Sequence, residues 1–213
     1  QILQCYMVMG GIPFYLSLID PRQSLVQNVD RLFFSHGGIM RGEFDELYNA
    51  LFSNAELYIS VVKALAQHHD GMTRTEISKV IGANGGTLTR VLTNLERCDF
   101  ISRSQNFGCK TKNTIYRLMD FYTLFYYKFI AQDTSGDEQW WSHNFESRLV
   151  STWQGLTFEI VCLMHTDCIK KALGISCMAT EVSSWRKVAD DKQRGGQIDL
   201  AIKRADRIVH LCE

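Results

Sequence analysis

No proline follows Pro21. Proline removes a backbone donor and clashes with the preceding helical turn. A chain whose two prolines, Pro13 and Pro21, sit in its first tenth can therefore run helices through most of its length. The apolar spacing agrees. Residues 2–9 and 13–19 read as short apolar helices broken at Gly10-Gly11. SLVQNVDRLFF (24–34), GEFDELYNALF (42–52) and AELYISVVKALAQH (55–68) repeat apolar residues at i, i+3, i+4 and i+7, the spacing of one helical face. The opening third is predicted all-α.

The middle of the chain has a different order. Thr73 can cap the helix TRTEISKVIG, with Glu76 as its reciprocal partner. Gly82 to Gly86 make a turn. TLTRVLTNLERCDF then places Leu88, Val91, Leu92 and Leu95 on one face. These four, with Ile77 and Val80, are predicted to form a small core. FISRSQNFGCKTKNTIYRL supplies two β-like runs around a Gly- and Lys-containing tip. Helix, turn, helix and hairpin in this order is the winged helix-turn-helix pattern.

Charge supports a role for this segment. The whole chain is neutral, with 23 basic and 23 acidic residues, which excludes a strongly basic nucleic-acid coat. Residues 71–120 nevertheless hold 8 Lys/Arg against 4 Asp/Glu, a local asymmetry with an electrostatic meaning. The candidate nucleic-acid contacts are Thr87, Thr89, Arg90, Asn94 and Arg97 on the second helix, with Arg103, Lys110 and Lys112 on the wing. Arginine and lysine suit phosphates or guanine edges, and threonine and asparagine suit phosphates or bases. DNA is the partner this implies. A solvated polar face is the alternative.

DFYTLFYYKFI (120–130) carries six aromatics on every side of a helix. A helix apolar all round is buried, so these rings are predicted as core rather than as a stacking platform for bases. ESRLVSTWQGLTFEIVCLMHTDCIKKAL (146–173) reads as one long helix or two joined ones, and CMATEVSSW, GQIDLAIK and RIVHLCE read as strands.

Catalytic motifs are few. There is no phosphate-binding G-x-x-x-x-G-K-[ST], no G-x-S-x-G and no H-E-x-x-H. GGIP at 10–13 lacks the dinucleotide spacing. One set of acids stands out: Glu159 on the long helix, Asp199 in an apolar strand and Glu213 ending the next. Burying an isolated carboxylate is costly, and carboxylates from adjacent strands can share a metal ion that activates water. Asp199 and Glu213 are the candidate metal ligands, Mg²⁺ or Mn²⁺ the expected ion, and all three acids the candidate catalytic set. Their order is that of the PD-(D/E)xK nuclease core. Solvated acids at strand ends are the alternative. The pattern requires a lysine two residues after Glu213, where the chain has stopped, so an incomplete nuclease-like domain is expected.

Composition narrows the remaining classes. With 46% hydrophobic and 22% charged residues in 213, this is ordinary globular composition, sufficient for one large domain or two small ones. No apolar run is long enough to span a membrane. The first residues carry no basic n-region, so no signal peptide is expected. The missing initial Met suggests a fragment. Seven cysteines, at 5, 98, 109, 162, 168, 177 and 212, include no C-x-x-C pair. Neither a disulfide framework nor structural zinc is expected, and a cytoplasmic location with reduced thiols is.

GGIPFYL, NGGTLTRVLTNLERCDFI, FGCKTKNTIYRL, FYTLFYYKFI, W-x-G-x-x-F-E and GGQIDL follow one another in this order. In that order the chain resembles the archaeal-type P-loop ATPase family, whose C-terminal part is domain-of-unknown-function family 234. The resemblance covers essentially the whole chain. It implies a mainly α fold with a small α/β C-terminal part, divided into a helical lid remnant (1–52), a winged helix (53–119) and a truncated restriction-nuclease-like domain (120–213). It further implies an upstream ATPase core, absent here, as partner, with ATP bound only in the parent protein. Two functions then compete: a DNA-binding module with a nuclease-like domain, or a catalytically inactive interaction and regulatory module.

Overall fold

The computed structural model describes residues 1–105, 114–187 and 195–212, with the side chains of 186, 187 and 197 left aside. Among them the chain is mainly helical, with two three-stranded antiparallel sheets.

Local chemistry sets the first boundaries. Helix α1 (Ile2–Met9) ends at Gly10, whose φ of 67° is left-handed, a conformation glycine adopts without steric cost. Pro13 opens α2 (Pro13–Ser17) at its first position, where its missing N–H costs nothing. Ser24 and Gln27 form a capping box on α3 (Leu25–Val29), which continues as a π-helical turn, Asp30–Phe34. Helices α4 (Ile39–Leu51) and α5 (Ala55–Ala66) follow, so the expected all-α opening third is what forms.

The winged helix is present. Strand β1 (Met72–Thr73) leads into α6 (Arg74–Ile81) and α7 (Gly85–Arg97). Asp99, at φ 59°, turns the chain into β2 (Ile101–Gln105), which pairs with β3 (Thr114–Leu118) from Ile101↔Leu118 to Gln105↔Thr114. Strand β1 adds to the far edge of β3; at two residues it is too short to show a sequence period. Leu88, Val91, Leu92, Leu95 and Ile77 are buried as predicted, but Val80 is 59% exposed. The inward stripe of α6 runs from Ile77 to the half-buried Ile81, an i, i+4 step that leaves the i+3 position outside.

The aromatic segment is core. Helix α8 (Phe121–Phe125) runs into a second π-helical turn, Tyr126–Ile130. Phe125 and Phe129 meet Trp141 and Trp153 with ring centroids 5.1–5.4 Å apart. Phe44 of α4 stacks on Tyr126 at 4.1 Å. Helix α9 (Trp140–Asn144) is fastened by the buried Asp30, whose carboxylate accepts the Trp141 N–H at 2.8 Å. One apolar cluster runs from Met7 through α5 and α7 to Trp153. It crosses both expected boundaries, near 52 and near 119, without a break.

The long helical stretch is two helices, α10 (Arg148–Met164) and α11 (Thr166–Ala172), joined at His165. Strands β4 (Thr180–Lys187), β5 (Gly196–Arg204) and β6 (Val209–Cys212) make the second sheet. Ser183 pairs with Ala201 while Trp185 pairs with Ile198. Strand β5 thus carries one extra residue between these pairs, a bulge that includes Asp199. Leu200 and Ile202 pack inward on Ile175. No helix among the described residues is long and apolar enough to cross a membrane.

Candidate nucleic-acid interface

The helix-turn-helix is built by caps. Thr73 Oγ1 accepts the Glu76 N–H at 3.3 Å, and the Glu76 carboxylate accepts the Thr73 N–H at 2.7 Å. Those donated bonds hold the Glu76 carboxyl below its ordinary range. Gly82, at φ 68°, stops α6 in a left-handed cap, and α7 starts three residues later.

Helix α7 has one buried side and one open side. Leu88, Val91, Leu92 and Leu95 face the core. Opposite them, at steps of four, three and four, lie Gly86, Arg90, Thr93 and Arg97. Arg90 and Arg97 are exposed and Thr93 is half-buried. The two arginines stand about 10 Å apart along the axis. Thr87 is exposed at the flank of this stripe.

The other expected contacts are placed differently. Asn94 donates to the Tyr58 hydroxyl at 2.8 Å, so it ties α7 to α5 rather than joining the open stripe. Thr89 donates to the Gly85 carbonyl at 3.2 Å and accepts from Arg74 Nη2 at 2.9 Å. Arg103 pairs with Glu96 at 3.3 Å, both partly exposed, which joins the wing strand to α7. Lys110 and Lys112 lie outside the described residues. Sequence reasoning missed Thr93 and Arg74. The seven-residue repeat from Gly86 to Thr93 could have found the first; a basic residue directly after the Thr73 cap was the signal for the second.

Two of the three candidate acids, Glu159 and Asp199, fall among the described residues. Glu159 on α10 meets His69 Nε2 at 3.1 Å. Burial lowers the affinity of the Arg117 guanidinium on β3 for its proton, and the charges of Asp70, Glu159 and Asp199 oppose that effect. Glu159 and Asp199 therefore both favour the charged form of Arg117. Glu213 lies outside the described residues. Among the described residues no group of three or more His, Cys, Asp or Glu side chains is arranged to hold a metal ion.

Residues 61–107 match the MarR family. The match runs from the middle of α5 through α6 and α7 to just past β2, less than half of the chain. No curated protein matches. Among solved structures, a point mutant of S. aureus MepR is 19% identical, with 66% of this chain and 95% of that one covered. Its TM-score is 0.27, too low to mark a shared overall fold.

These findings correct the resemblance to archaeal-type P-loop ATPases. One of its segments, NGGTLTRVLTNLERCDFI, lies entirely inside the MarR match, and nothing found connects the chain to an ATPase, to ATP binding or to domain-of-unknown-function family 234. The physical reason is that a capped helix, a glycine turn and an amphipathic helix answer to the packing of any winged helix, so their order does not identify a parent. The reading as an ATPase C-terminal region with a PD-(D/E)xK nuclease-like domain is replaced. Nothing supports a nuclease-like domain, and Glu159 pairs with His69.

Proposed function

We propose that this chain is a DNA-binding regulator of transcription whose winged helix docks on duplex DNA through α7. The observation that carries the reading is the open stripe Gly86–Arg90–Thr93–Arg97, opposite a fully buried face. A helix with one apolar side committed to its own core and two arginines on the other can enter a major groove. The MarR match over residues 61–107 supports the same reading, and Lys110 and Lys112, outside the described residues, add positive charge close by in sequence.

The test is a fluorescence-anisotropy titration on a 30-bp duplex over a range of salt concentrations. Each neutralised phosphate contributes about −0.9 to the slope of log K against log salt. The chain should bind with a negative slope. Arg90→Gln together with Arg97→Gln should weaken binding and flatten the slope by at least about 0.9. Absence of binding to any duplex at about 50 mM salt would overturn the proposal.

A further inference from the structure

We infer that Arg74, on the helix before the recognition helix, is a phosphate contact that also positions the recognition helix, a role that rests on the DNA-binding reading of α7. Arg74 occupies the first position of α6, directly after the Thr73 cap. Its Nη2 donates to the Gly85 carbonyl at 2.8 Å and to the Thr89 hydroxyl at 2.9 Å. One guanidinium thereby joins the start of α6 to the first turn of α7. The Thr89 hydroxyl in turn donates to the Gly85 carbonyl, so the three groups form a closed set. All three residues are exposed.

The placement has a consequence for docking. In a helix-turn-helix the helix before the recognition helix crosses the phosphate backbone, while the first residues of the recognition helix reach base edges. Arg74 lies where those two requirements meet. A guanidinium has five donors in a rigid planar fork. The two bonds to α7 both use Nη2, so the N–H groups on Nε or Nη1 can donate to phosphate oxygens. A single side chain would then fix the distance between the backbone contact and the base-reading turn. Lysine, a point charge on a flexible stem, cannot hold both partners in that way.

Two variants separate charge from tether. Arg74→Gln keeps a donor but removes the charge; Arg74→Lys keeps the charge but loses the fork. In the same anisotropy titration, Arg74→Gln should bind roughly tenfold more weakly, the scale of one charge-assisted hydrogen bond. Its salt slope should fall by about 0.9. Arg74→Lys should keep the parent slope while losing affinity. Circular dichroism and thermal unfolding establish that both variants fold, and Arg74 is exposed enough for substitution to leave the core untouched. An unchanged slope in Arg74→Gln, with the parent chain binding normally, would overturn the role of Arg74 and leave the DNA-binding reading standing. Failure of the parent chain to bind would overturn both. Equal loss of slope in the two variants would reduce Arg74 to a structural tether and also overturn the phosphate contact.

Discussion

Val80 and Leu92 show how much a single side chain's worth depends on where its helix turns. Both are apolar and both belong to an apolar pattern, yet Leu92 is 2% exposed and Val80 59%. Truncating Leu92 removes methyl groups from a closed core and leaves a cavity, so Leu92→Ala should cost about 2–5 kcal/mol. Val80→Ala empties nothing and should stay within about 0.5 kcal/mol of the parent. Urea unfolding of the two variants checks the contrast, and a comparable loss in both would mean α6 is rotated from the arrangement described. Asn94 makes the same point for polar residues. Its polarity suited a DNA contact, but the hydrogen bond to Tyr58 takes its amide toward α5.

At the scale of elements, the α6 cap is the part of the site most open to measurement. Thr73 and Glu76 satisfy each other's donors at the start of the helix. Thr73→Ala should cost about 1 kcal/mol, read as a lowered denaturation midpoint. The same box gives a pH dependence whose sign follows from the lowered Glu76 carboxyl. A depressed folded value means the cap stabilises fully above the unfolded value, about 4.3, and that this contribution is lost as pH falls through the lower folded value. In Thr73→Ala the acid-side loss should be smaller than in the parent. Identical acid profiles would show that the capping box does not carry this titration. The π-helical turns at Asp30–Phe34 and Tyr126–Ile130 belong to this scale too. Both lie where aromatic side chains crowd together, and neither departs from the apolar pattern enough to be seen in sequence.

Across the whole molecule, Arg117 stands among charged groups brought in by several elements. Arg117 comes from β3, Glu159 from α10, Asp199 from the bulge in β5, and His69 and Asp70 from the loop after α5. Arg117 Nη2 also reaches the Asp70 carbonyl at 3.5 Å, at the long end of hydrogen bonding. Removing one member of such a set strands the opposite charges in a partly desolvated place, which typically costs about 3–5 kcal/mol when burial is complete. Arg117→Ala should therefore destabilise the chain by roughly 2–4 kcal/mol and speed amide exchange in β5 before it does so in α7. Hydrogen exchange followed strand by strand checks this, and uniform exchange in both elements would contradict it.

What could be read from the sequence was whatever depends on neighbours along the chain. Proline scarcity, the 3.6-residue apolar spacing and the Thr73–Glu76 pair set the helices, because these signals act over one or two turns. The buried face of α7 followed from the spacing of Leu88, Val91, Leu92 and Leu95, and the three C-terminal strands from their β-like runs. Partners far apart in the chain were decided only by the tertiary structure. Glu159 lies 90 residues from His69, and no local pattern states that α10 packs beside the loop after α5. The bulge that includes Asp199 depends on pairing between β4 and β5. Arg74 was visible as a basic residue after a cap, but its hold on Gly85 and Thr89 exists only once α6 and α7 cross. Periodicity reports which face of an element is apolar; which charges meet across elements is fixed by how those faces pack.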